Sequence, residues 1–390
     1  MNIKEKLRDA NNELINIRRD FHVYPELSNQ EFRTQNKICE YLEKWGIEYQ
    51  SGIAKSGVLA IVRGKENDKT IALRADIDAL PIDELTDIPF KSQNKGVMHA
   101  CGHDAHTAIL LVTAKIIKSL QDEIKGNVKF FFQPAEETTG GAERMIADGC
   151  MDNPRVDAVL GLHMDSETET GKIRLRYGKM NASSDEIKII IKGVSSHGAK
   201  PNKGVDPIVI SANIILALQT LVSRNISPVD SAVFTIGSIH GGKKANVIPD
   251  TIEMECILRT LDNATRQFAK ERICDIVQQI SKAYGGIGYV IINESYVPLI
   301  NNDEMVNLCK ETAIEVIGEN NILYIANAEM FAEDFSYFAQ EAKGCFFYLG
   351  CRNKKEDCIY PSHSNKYKID EKSLKLGVEL QVRNVLKFLT

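Results

Sequence analysis

The segment Val128-Lys129-Phe130-Phe131-Phe132-Gln133-Pro134-Ala135-Glu136-Glu137 carries the clearest indication of the fold. Its largely apolar first half predicts a buried strand, and Pro134 ends that strand because proline cannot continue the hydrogen-bonded ladder. Helices are predicted before it, at residues 107–120, and after it, near residues 142–147. Strands that alternate with helices predict an α/β domain whose sheet is largely parallel.

The same alternation extends in both directions from this segment. Further strands are predicted at residues 58–62, 70–74 and 158–162, and further helices at residues 4–21, 29–45, 303–317 and 371–389. Between them the order changes to β-α-β-β-α-β, which is typical of a ferredoxin-like α+β unit. We therefore predict one domain with a sheet flanked by helices, formed by residues 1–182 and 297–390, and a ferredoxin-like domain inserted at residues 183–296.

The composition limits the classes of protein to which this chain can belong. Its 390 residues are too many for one compact core, and 43% hydrophobic with 26% charged residues is an ordinary globular composition. A net charge of −5 without a Lys/Arg-dense stripe predicts no nucleic-acid partner. No signal-peptide segment and no bilayer-spanning run stand out, so we expect no membrane partner. Nine scattered cysteines without a C-x-x-C pair predict reduced thiols and a cytoplasmic location.

Two adjacent carboxylates, Glu136 and Glu137, follow the predicted strand directly. In open α/β sheets, ligands bind in the crevice beyond the carboxyl ends of the strands. One of these carboxylates could bind a metal while the other acts as a general base on water. The alternative is a solvated acidic loop without any chemistry.

The segment His99-Ala100-Cys101-Gly102-His103-Asp104 combines a thiol and an imidazole two residues apart. Both could face one cation if the chain turns between them, and Gly102 permits such a turn. The alternative is a core cysteine followed by a histidine at the start of a helix. The segment alone does not decide between these interpretations.

Three further positions are candidates for the same site. His163 ends an apolar strand, His363 follows a polar loop, and Asp76 with Asp78 follows the strand at residues 70–74. A single histidine in such a place can equally be a hydrogen-bonded structural residue. The two aspartates could orient metal ligands, or Asp78 could cap a turn.

In combination, these segments resemble the aminoacylase and carboxypeptidase family of two-metal peptidases. Within that family they are most similar to the amidohydrolase branch, which contains hippurate hydrolase, N-acetyl-diaminopimelate deacetylase and the auxin-conjugate hydrolases. The matching segments, in chain order, are Arg18-Arg19-Asp20-Phe21-His22, Pro25-Glu26-Leu27, Leu73 to Pro81, His99 to His106, Gln133 to Glu137, Gly161-Leu162-His163, Ser196-His197-Gly198-Ala199, Asn246-Val247-Ile248-Pro249 and Glu333-Asp334-Phe335-Ser336.

The resemblance implies two divalent metal ions per subunit, zinc, manganese, cobalt or nickel. The implied metal ligands are Cys101, His103, Glu137, His163 and His363. The resemblance also implies catalytic roles for Glu136 as general base, for His197 at the oxyanion and for Asp78 behind the metal ligands. His197, Asn246 and Arg259 would bind the substrate, the last two at its carboxylate.

The implied reaction is hydrolysis of the amide bond of N-acyl amino acids to a carboxylic acid and a free amino acid, by metal-activated water and a glutamate base. The inserted domain would act as a lid and join two copies into a homodimer. Two alternatives are a dedicated N-acetyl-diaminopimelate deacetylase and a catalytically silent binding relative. No Gly-x-Ser-x-Gly elbow supports a serine hydrolase.

The chain departs from the family pattern at two places. Phe331 stands where the family often has glycine, and Ser362 and Ser364 flank His363 where leucine and asparagine are usual. The remaining histidines are expected to be structural or solvated rather than metal ligands; they are His22, His99, His106 and His240.

Overall fold

The computed structural model describes residues 3–66 and 69–389, and the chain divides into two compact units. The first unit comprises the described residues up to Gly178, Ile300–Ala326 and those from Asp334 onward. The second comprises Lys179–Leu299 and Asn327–Glu333. The sequence analysis placed the boundaries after residues 182 and 296, and it assigned residues 327–333 to the first domain.

The first unit starts with the helices and strands that surround its sheet. In chain order these are α1 (Ile3–Val23), α2 (Phe32–Lys44), β1 (Glu48–Ile53), β2 (Gly57–Arg63), β3 (Thr70–Asp76), α3 (His103–Lys118), β4 (Asn127–Gln133), α4 (Ala142–Ala147), β5 (Ala158–Glu169) and β6 (Ile173–Leu175). The next strand, β7 (Gly178–Asn181), lies at the boundary of the units.

The second unit and the return to the first contain the remaining elements. These are β8 (Asp185–Lys192), β9 (Ser196–His197), α5 (Pro207–Thr220), β10 (Ala232–Gly241), β11 (Val247–Ile248), β12 (Thr251–Thr260), α6 (Asn263–Ala283) and β13 (Ile287–Glu294), then β14 (Leu299–Asn301), α7 (Asp303–Ile317), β15 (Ile322–Tyr324), α8 (Phe335–Glu341), β16 (Lys343–Arg352) and α9 (Lys372–Phe388).

The sheet of the first unit has the order β1-β2-β4-β3-β5-β16-β6-β15. Its central strands β4, β3, β5 and β16 run parallel to one another, while β1, β2 and β4 pair antiparallel at one side. The carboxyl ends of the four central strands therefore share one edge of the sheet. The predicted α/β class with a mostly parallel sheet is confirmed.

Helix α3 is the central helix of this unit, because nearly all of its residues are buried. It packs against α1, α9 and the central strands. On α1, the buried residues Leu7, Leu14, Ile17 and Phe21 recur every three to seven positions, which places them on one helical face. Each buried side chain of this size contributes about 1.5–3 kcal/mol, and together they hold the first residue of α3, His103, at a fixed place.

The second unit has a four-stranded antiparallel sheet of order β10-β12-β8-β13. With α5 and α6 this is the predicted β-α-β-β-α-β arrangement. The side chains of Ile189, Ile191, Ile214 and Val277 lie in its core, between sheet and helices.

Helix α5 with the turn after it is more apolar than the sequence analysis expected. Residues Pro207–Asn225 are by length and composition able to cross a membrane, the one such stretch found among the described residues. Only a third of that window is buried. Its inner side, with Ile210, Ile214 and Leu218, packs in the core of the second unit, and Leu216 on its outer side is 71% exposed.

Candidate metal centre

The five predicted metal ligands all belong to the first unit and converge near the carboxyl ends of its central strands. Donor atoms of Cys101, His103 and Glu137 lie within 4.8 Å of one another. The Sγ atom of Cys101 is 3.4 Å from Nε2 of His163. The Nε2 atom of His363 is 3.3 Å from Oε1 of Glu137, and that of His103 is 3.7 Å from the same oxygen.

These separations are compatible with donor atoms that share a cation. The buried atoms His103 Nε2 and Glu137 Oε1 have no hydrogen-bond partner in the described part of the chain. Leaving such polar atoms unpaired costs free energy unless a ligand satisfies them. Bonds of about 2.1 Å from a tetrahedral metal to nitrogen and oxygen place neighbouring donors roughly 3.4 Å apart. The residues present therefore fit a group of divalent metal ions.

The backbone at Gly102 and at His363 sets two of these positions. Gly102 has φ = 95°, in the left-handed region, and this turn allows Cys101 and the first residue of α3 to face the same side. A Cβ atom on Gly102 would lie 2.9 Å from the Tyr367 hydroxyl and 3.0 Å from the Met164 side chain. His363 also has a positive φ, 65°, and its N–H donates to the Ala100 carbonyl at 2.8 Å.

Hydrogen bonds on the far side of two imidazoles fix which nitrogen faces the centre. The Nδ1 atom of His163 donates to the Met164 carbonyl at 2.8 Å, and that of His103 donates to the Asp78 carbonyl at 2.9 Å. Both Nε2 atoms therefore carry the lone pair that a metal needs. The Asp78 carboxylate also accepts from Ser28 Oγ at 2.7 Å and from the Glu137 N–H at 3.1 Å. Asp78 thus contacts two of the ligand residues, as its predicted role requires.

The electrostatics of the site show an excess of negative charge. Burial lowers the pKa of His103, but the carboxylates of Asp76, Asp78 and Glu137 outweigh that effect and raise it to about 10. Burial, followed by the charges of Glu137 and Glu136, raises the pKa of the Cys101 thiol well above its usual value. A bound cation reverses this balance, because it stabilises a thiolate and the neighbouring carboxylates.

Comparison with known proteins decides the family. The model of Peptidase family M20/M25/M40 matches residues 72–387, which is most of the chain. The chain belongs to Peptidase family M20/M25/M40. The sequence is also 40% identical to thermostable carboxypeptidase 1 of Saccharolobus solfataricus, with 99% of this chain and 98% of the relative covered. The family resemblance drawn from the motifs is thereby confirmed.

Two further similarities lie within the same family. The chain is 37% identical to the hippurate hydrolase of Campylobacter jejuni, with 100% of each chain covered. It is 33% identical to a solved dinuclear metal binding peptidase of the M20 family from Bacillus subtilis, with a TM-score of 0.84 and with 98% of this chain and 99% of that chain covered. The M20 fold of that structure therefore extends over nearly the whole of this chain.

Of the histidines expected to be structural, His22 and His106 form buried hydrogen bonds, whereas His99 forms none with the described residues. His106 lies in the same cluster as His103 and His163, but its Nδ1 pairs with Asp76 at 2.5 Å and its Nε2 accepts from the Met164 N–H at 2.8 Å. Both of its nitrogens are thus engaged, which favours the predicted structural role of His106. His99 is buried with neither ring nitrogen hydrogen-bonded within residues 3–66 and 69–389.

An ion-pair network that sequence reasoning did not find holds the start of α3. The Asp104 carboxylate is 2.9 Å from Arg18 Nε and 2.7 Å from His22 Nδ1, and all three side chains are buried. His22 Nε2 is 3.2 Å from Glu84. The motif from Arg18 to His22 was noted in the sequence, but its spacing gives no sign of a partner more than eighty residues away.

The other predicted site residues lie in the second unit. His197 in β9 pairs with Val247 in β11, and the Gly198 N–H donates to the Asn246 carbonyl at 2.8 Å. His197 and Asn246 are therefore neighbours in one two-stranded ribbon. Arg259 lies near the end of β12, opposite Val233 of β10. His240, expected to be solvated, is exposed near the end of β10.

Changing Gly102 to alanine is expected to weaken metal binding by about 10–100-fold, the loss typical of disturbed ligand support. Alanine at φ = 95° is strained by roughly 1–2 kcal/mol, and its Cβ would push against Tyr367 and Met164, which displaces the Cys101–His103 turn. The matched control is Gly149→Ala, because Gly149 has φ = 86° with open space around its Cβ position. Metal titration followed by a chromophoric chelator should separate the two variants; equal metal affinities would contradict the role given to Gly102.

Proposed function

We propose that this protein is a metal-dependent amidohydrolase that cleaves the amide bond of N-acyl amino acids into a carboxylic acid and a free amino acid. The observation that carries the proposal is the convergence of five donor side chains, one of which, Glu137, directly follows Glu136 in the chain. Membership of Peptidase family M20/M25/M40 confirms the broad prediction of a hydrolase acting on C–N bonds. The similarity to a hippurate hydrolase supports an N-acylated amino acid as the substrate class.

In the proposed mechanism the chain supplies binding, orientation and proton transfer. Two divalent ions would be held by Cys101, His103, Glu137, His163 and His363, and when bound they would supply Lewis acidity for the scissile carbonyl and for water. Glu136 accepts the proton from the attacking water and delivers it to the leaving amine. Asp78 keeps His103 and Glu137 oriented through the hydrogen bonds described above.

The proposed role of His197 is to stabilise the oxyanion that forms on the carbonyl oxygen. Its Nδ1 accepts from the Ala199 N–H at 3.0 Å, so a neutral ring carries its proton on Nε2. That N–H is a donor of the kind that stabilises developing negative charge, an effect of about 3–4 kcal/mol per donor in enzymes. Asn246 beside it and the half-buried Arg259 are proposed to bind the substrate carboxylate, because an amide and a guanidinium both donate hydrogen bonds to carboxylates.

We further propose that the second unit joins two copies into a homodimer. Strand β10 is an edge of the four-stranded sheet and exposes Val233 and Ile239, and α5 exposes Ile208 and Leu216. An edge strand beside an exposed apolar helix is a surface that soluble proteins usually cover. A two-fold axis would place this surface of one copy against the same surface of the other.

A cytoplasmic location is also proposed, because all nine cysteines carry free thiols.

Metal removal tests the proposed function directly. Protein stripped by a strong chelator is expected to lose all hydrolysis of N-benzoylglycine and N-acetyl amino acids, and to regain it with zinc, manganese, cobalt or nickel. Full turnover by metal-free protein would reject the mechanism. A panel that includes N-acetyl-diaminopimelate decides the alternative of a dedicated deacetylase, which predicts turnover of that compound alone. No turnover of any member by the metal-loaded protein would favour a binding relative.

A further inference from the structure

The segment Glu333-Asp334-Phe335-Ser336 matches the family, yet nothing above gives it a role. Asp334 in this segment is completely buried in the first unit. Its Oδ1 accepts from Arg74 Nη2 at 2.8 Å and from Gln133 Nε2 at 2.9 Å. Its Oδ2 accepts from the N–H groups of Gly141 and Ala142 at 2.8 and 3.1 Å. Every one of these contacts places a donor against the carboxylate.

Three of these four donors lie at the two ends of one loop. Gln133 is the last residue of β4, and Gly141 with Ala142 begins α4. Residues 134–140 run between them and include Glu136 and Glu137. The ends touch, because a Cβ on Gly141 would lie 1.9 Å from the Pro134 carbonyl oxygen. A single carboxylate therefore ties together both ends of the loop on which the proposed base and one metal ligand stand.

We propose that Asp334 is the positioning residue that closes this loop and thereby places Glu136 and Glu137. The inference deepens the proposed function and rests on the roles given there to the two glutamates. A carboxylate oxygen of Asp334 lies within 4.8 Å of one of Glu136, which would also allow a shared metal. The four donors occupy both oxygens of Asp334, however, and leave that carboxylate to the loop.

The connection continues from Asp334 to the histidines. Arg74 donates from Nη1 to Asp76 at 2.8 Å and from Nε to the Gln133 side-chain oxygen at 2.8 Å, so it lies between the two aspartates. Asp76 in turn holds His106. Arg74 therefore links Asp334 to the side of the site on which Asp76 and His106 lie.

The test is Asp334→Asn, combined with Glu136→Gln in a double-mutant cycle. Asparagine keeps the shape but must turn its NH₂ group toward donors, so one end of the loop loses its acceptor. We expect kcat to fall about 10²-fold, the cost of misplacing a reacting group by about 1 Å, with little change in KM. At saturating metal Asp334 acts on turnover through Glu136, so the same change should then cost nothing further in the residual turnover of Glu136→Gln. Metal affinity should also weaken about 10–100-fold through Glu137.

The matched control is Asp185→Asn in the second unit. Asp185 is equally buried and pairs with Arg266 at 2.6 and 2.8 Å, so this variant also uncouples a buried aspartate from its arginine. It is expected to lower the melting temperature as Asp334→Asn does, but to leave metal affinity and the kcat of the folded fraction unchanged. Should Asp334→Asn fail to fold, Gln133→Met can replace it. This variant removes the hydrogen bonds between Asp334 and one end of the loop, and it should show the same pattern more weakly.

Two results would overturn the positioning role of Asp334. One is an equal fold-loss of kcat in the wild-type and Glu136→Gln backgrounds, and the other is wild-type metal affinity in a folded Asp334→Asn protein. The metal titration keeps this test separate from that of the proposed function. If wild-type protein hydrolyses no N-acyl amino acid, the proposed function is rejected. A weakened metal affinity in Asp334→Asn would even then support the positioning role of Asp334.

Discussion

Changing Glu136 to glutamine is expected to lower kcat by about 10²–10⁴-fold while the metal content stays at the wild-type level. Glutamine keeps the size of the side chain but cannot accept the proton from water. The contacts that gather the ligand residues join Cys101 to His163, and Glu137 to His103 and His363. The variant should therefore purify with two metals per chain and should still bind substrate with a similar KM.

The neighbouring change Glu137→Gln is the matched comparison, because the two residues are adjacent and chemically identical. Oε1 of Glu137 is within 3.7 Å of both His103 and His363, so this carboxylate is the one placed to bind metal. Its loss should weaken metal binding by at least about 10–100-fold, since changes to residues that only orient a metal ligand already cost that much. Elemental analysis and kcat at saturating metal measure both effects. If Glu136→Gln loses metal and Glu137→Gln keeps it, the two roles are reversed.

Part of the local chemistry of the site lies next to strong local features of the sequence, whereas the full set of five ligands came from the family resemblance. Glu136 and Glu137 follow an apolar strand that proline ends, and Gly102 separates Cys101 from His103 at a turn. In a parallel sheet such positions meet at one edge. The strand order therefore predicts where the Glu136–Glu137 pair lies, but it does not place Cys101, His103 or His363.

The strand end at His163 was predicted wrongly. The sequence places the end of that strand at residue 162, whereas β5 continues to Glu169 and contains His163. The reason is a change of partner: β3 pairs with β5 only as far as Gly161, while β16 continues beside it and pairs Tyr348 with His163. The polar residues that follow the apolar run give no sign that the strand continues. It continues there because β16 still pairs with it, although β3 no longer does.

Long-range ion pairs were beyond the reach of pattern reasoning. Asp334 binds Gln133 across 201 positions, and Arg18 binds Asp104 in a buried pair. No periodicity or spacing in the sequence predicts which residues form these pairs. Buried charges must be paired, so a sequence can predict that a partner exists once burial is known, but the fold decides which residue it is.

The exposed outer side of α5 could not be predicted either. A helix that is apolar all round predicts burial on every side, yet Leu216 is 71% exposed in the single chain. The sequence alone does not say whether another part of the chain or a second copy covers that side. The resemblance to a family with a dimerising inserted domain favours a second copy, and the behaviour of His197 tests that choice.

Mixing two inactive variants, His197→Ala and Glu136→Gln, is expected to restore about a quarter of the wild-type activity if His197 completes its partner's site. His197 lies in the second unit, whereas all five proposed metal ligands lie in the first. Under this arrangement each His197 acts in the active site of the other chain. In a hybrid dimer, the His197→Ala chain therefore keeps its own Glu136 and is completed by the wild-type His197 of the other chain. Equal mixing makes about half of the dimers hybrids, each with one complete site.

If His197 serves its own chain, no site in the hybrid is complete and the mixture stays inactive. The matched control mixes wild-type protein with the double variant His197→Ala/Glu136→Gln. If His197 acts in the partner's site, the hybrid dimers of this control have no complete site, and activity falls to about a quarter of that of wild-type protein at the same total concentration. If His197 acts in its own chain, activity falls only to about half. Light scattering must show dimers, and subunit exchange must be complete, because unexchanged mixtures give no recovery under either arrangement. A fully active His197→Ala homodimer would remove the oxyanion role, since a lost donor of that kind should cost about 10²–10³-fold in kcat.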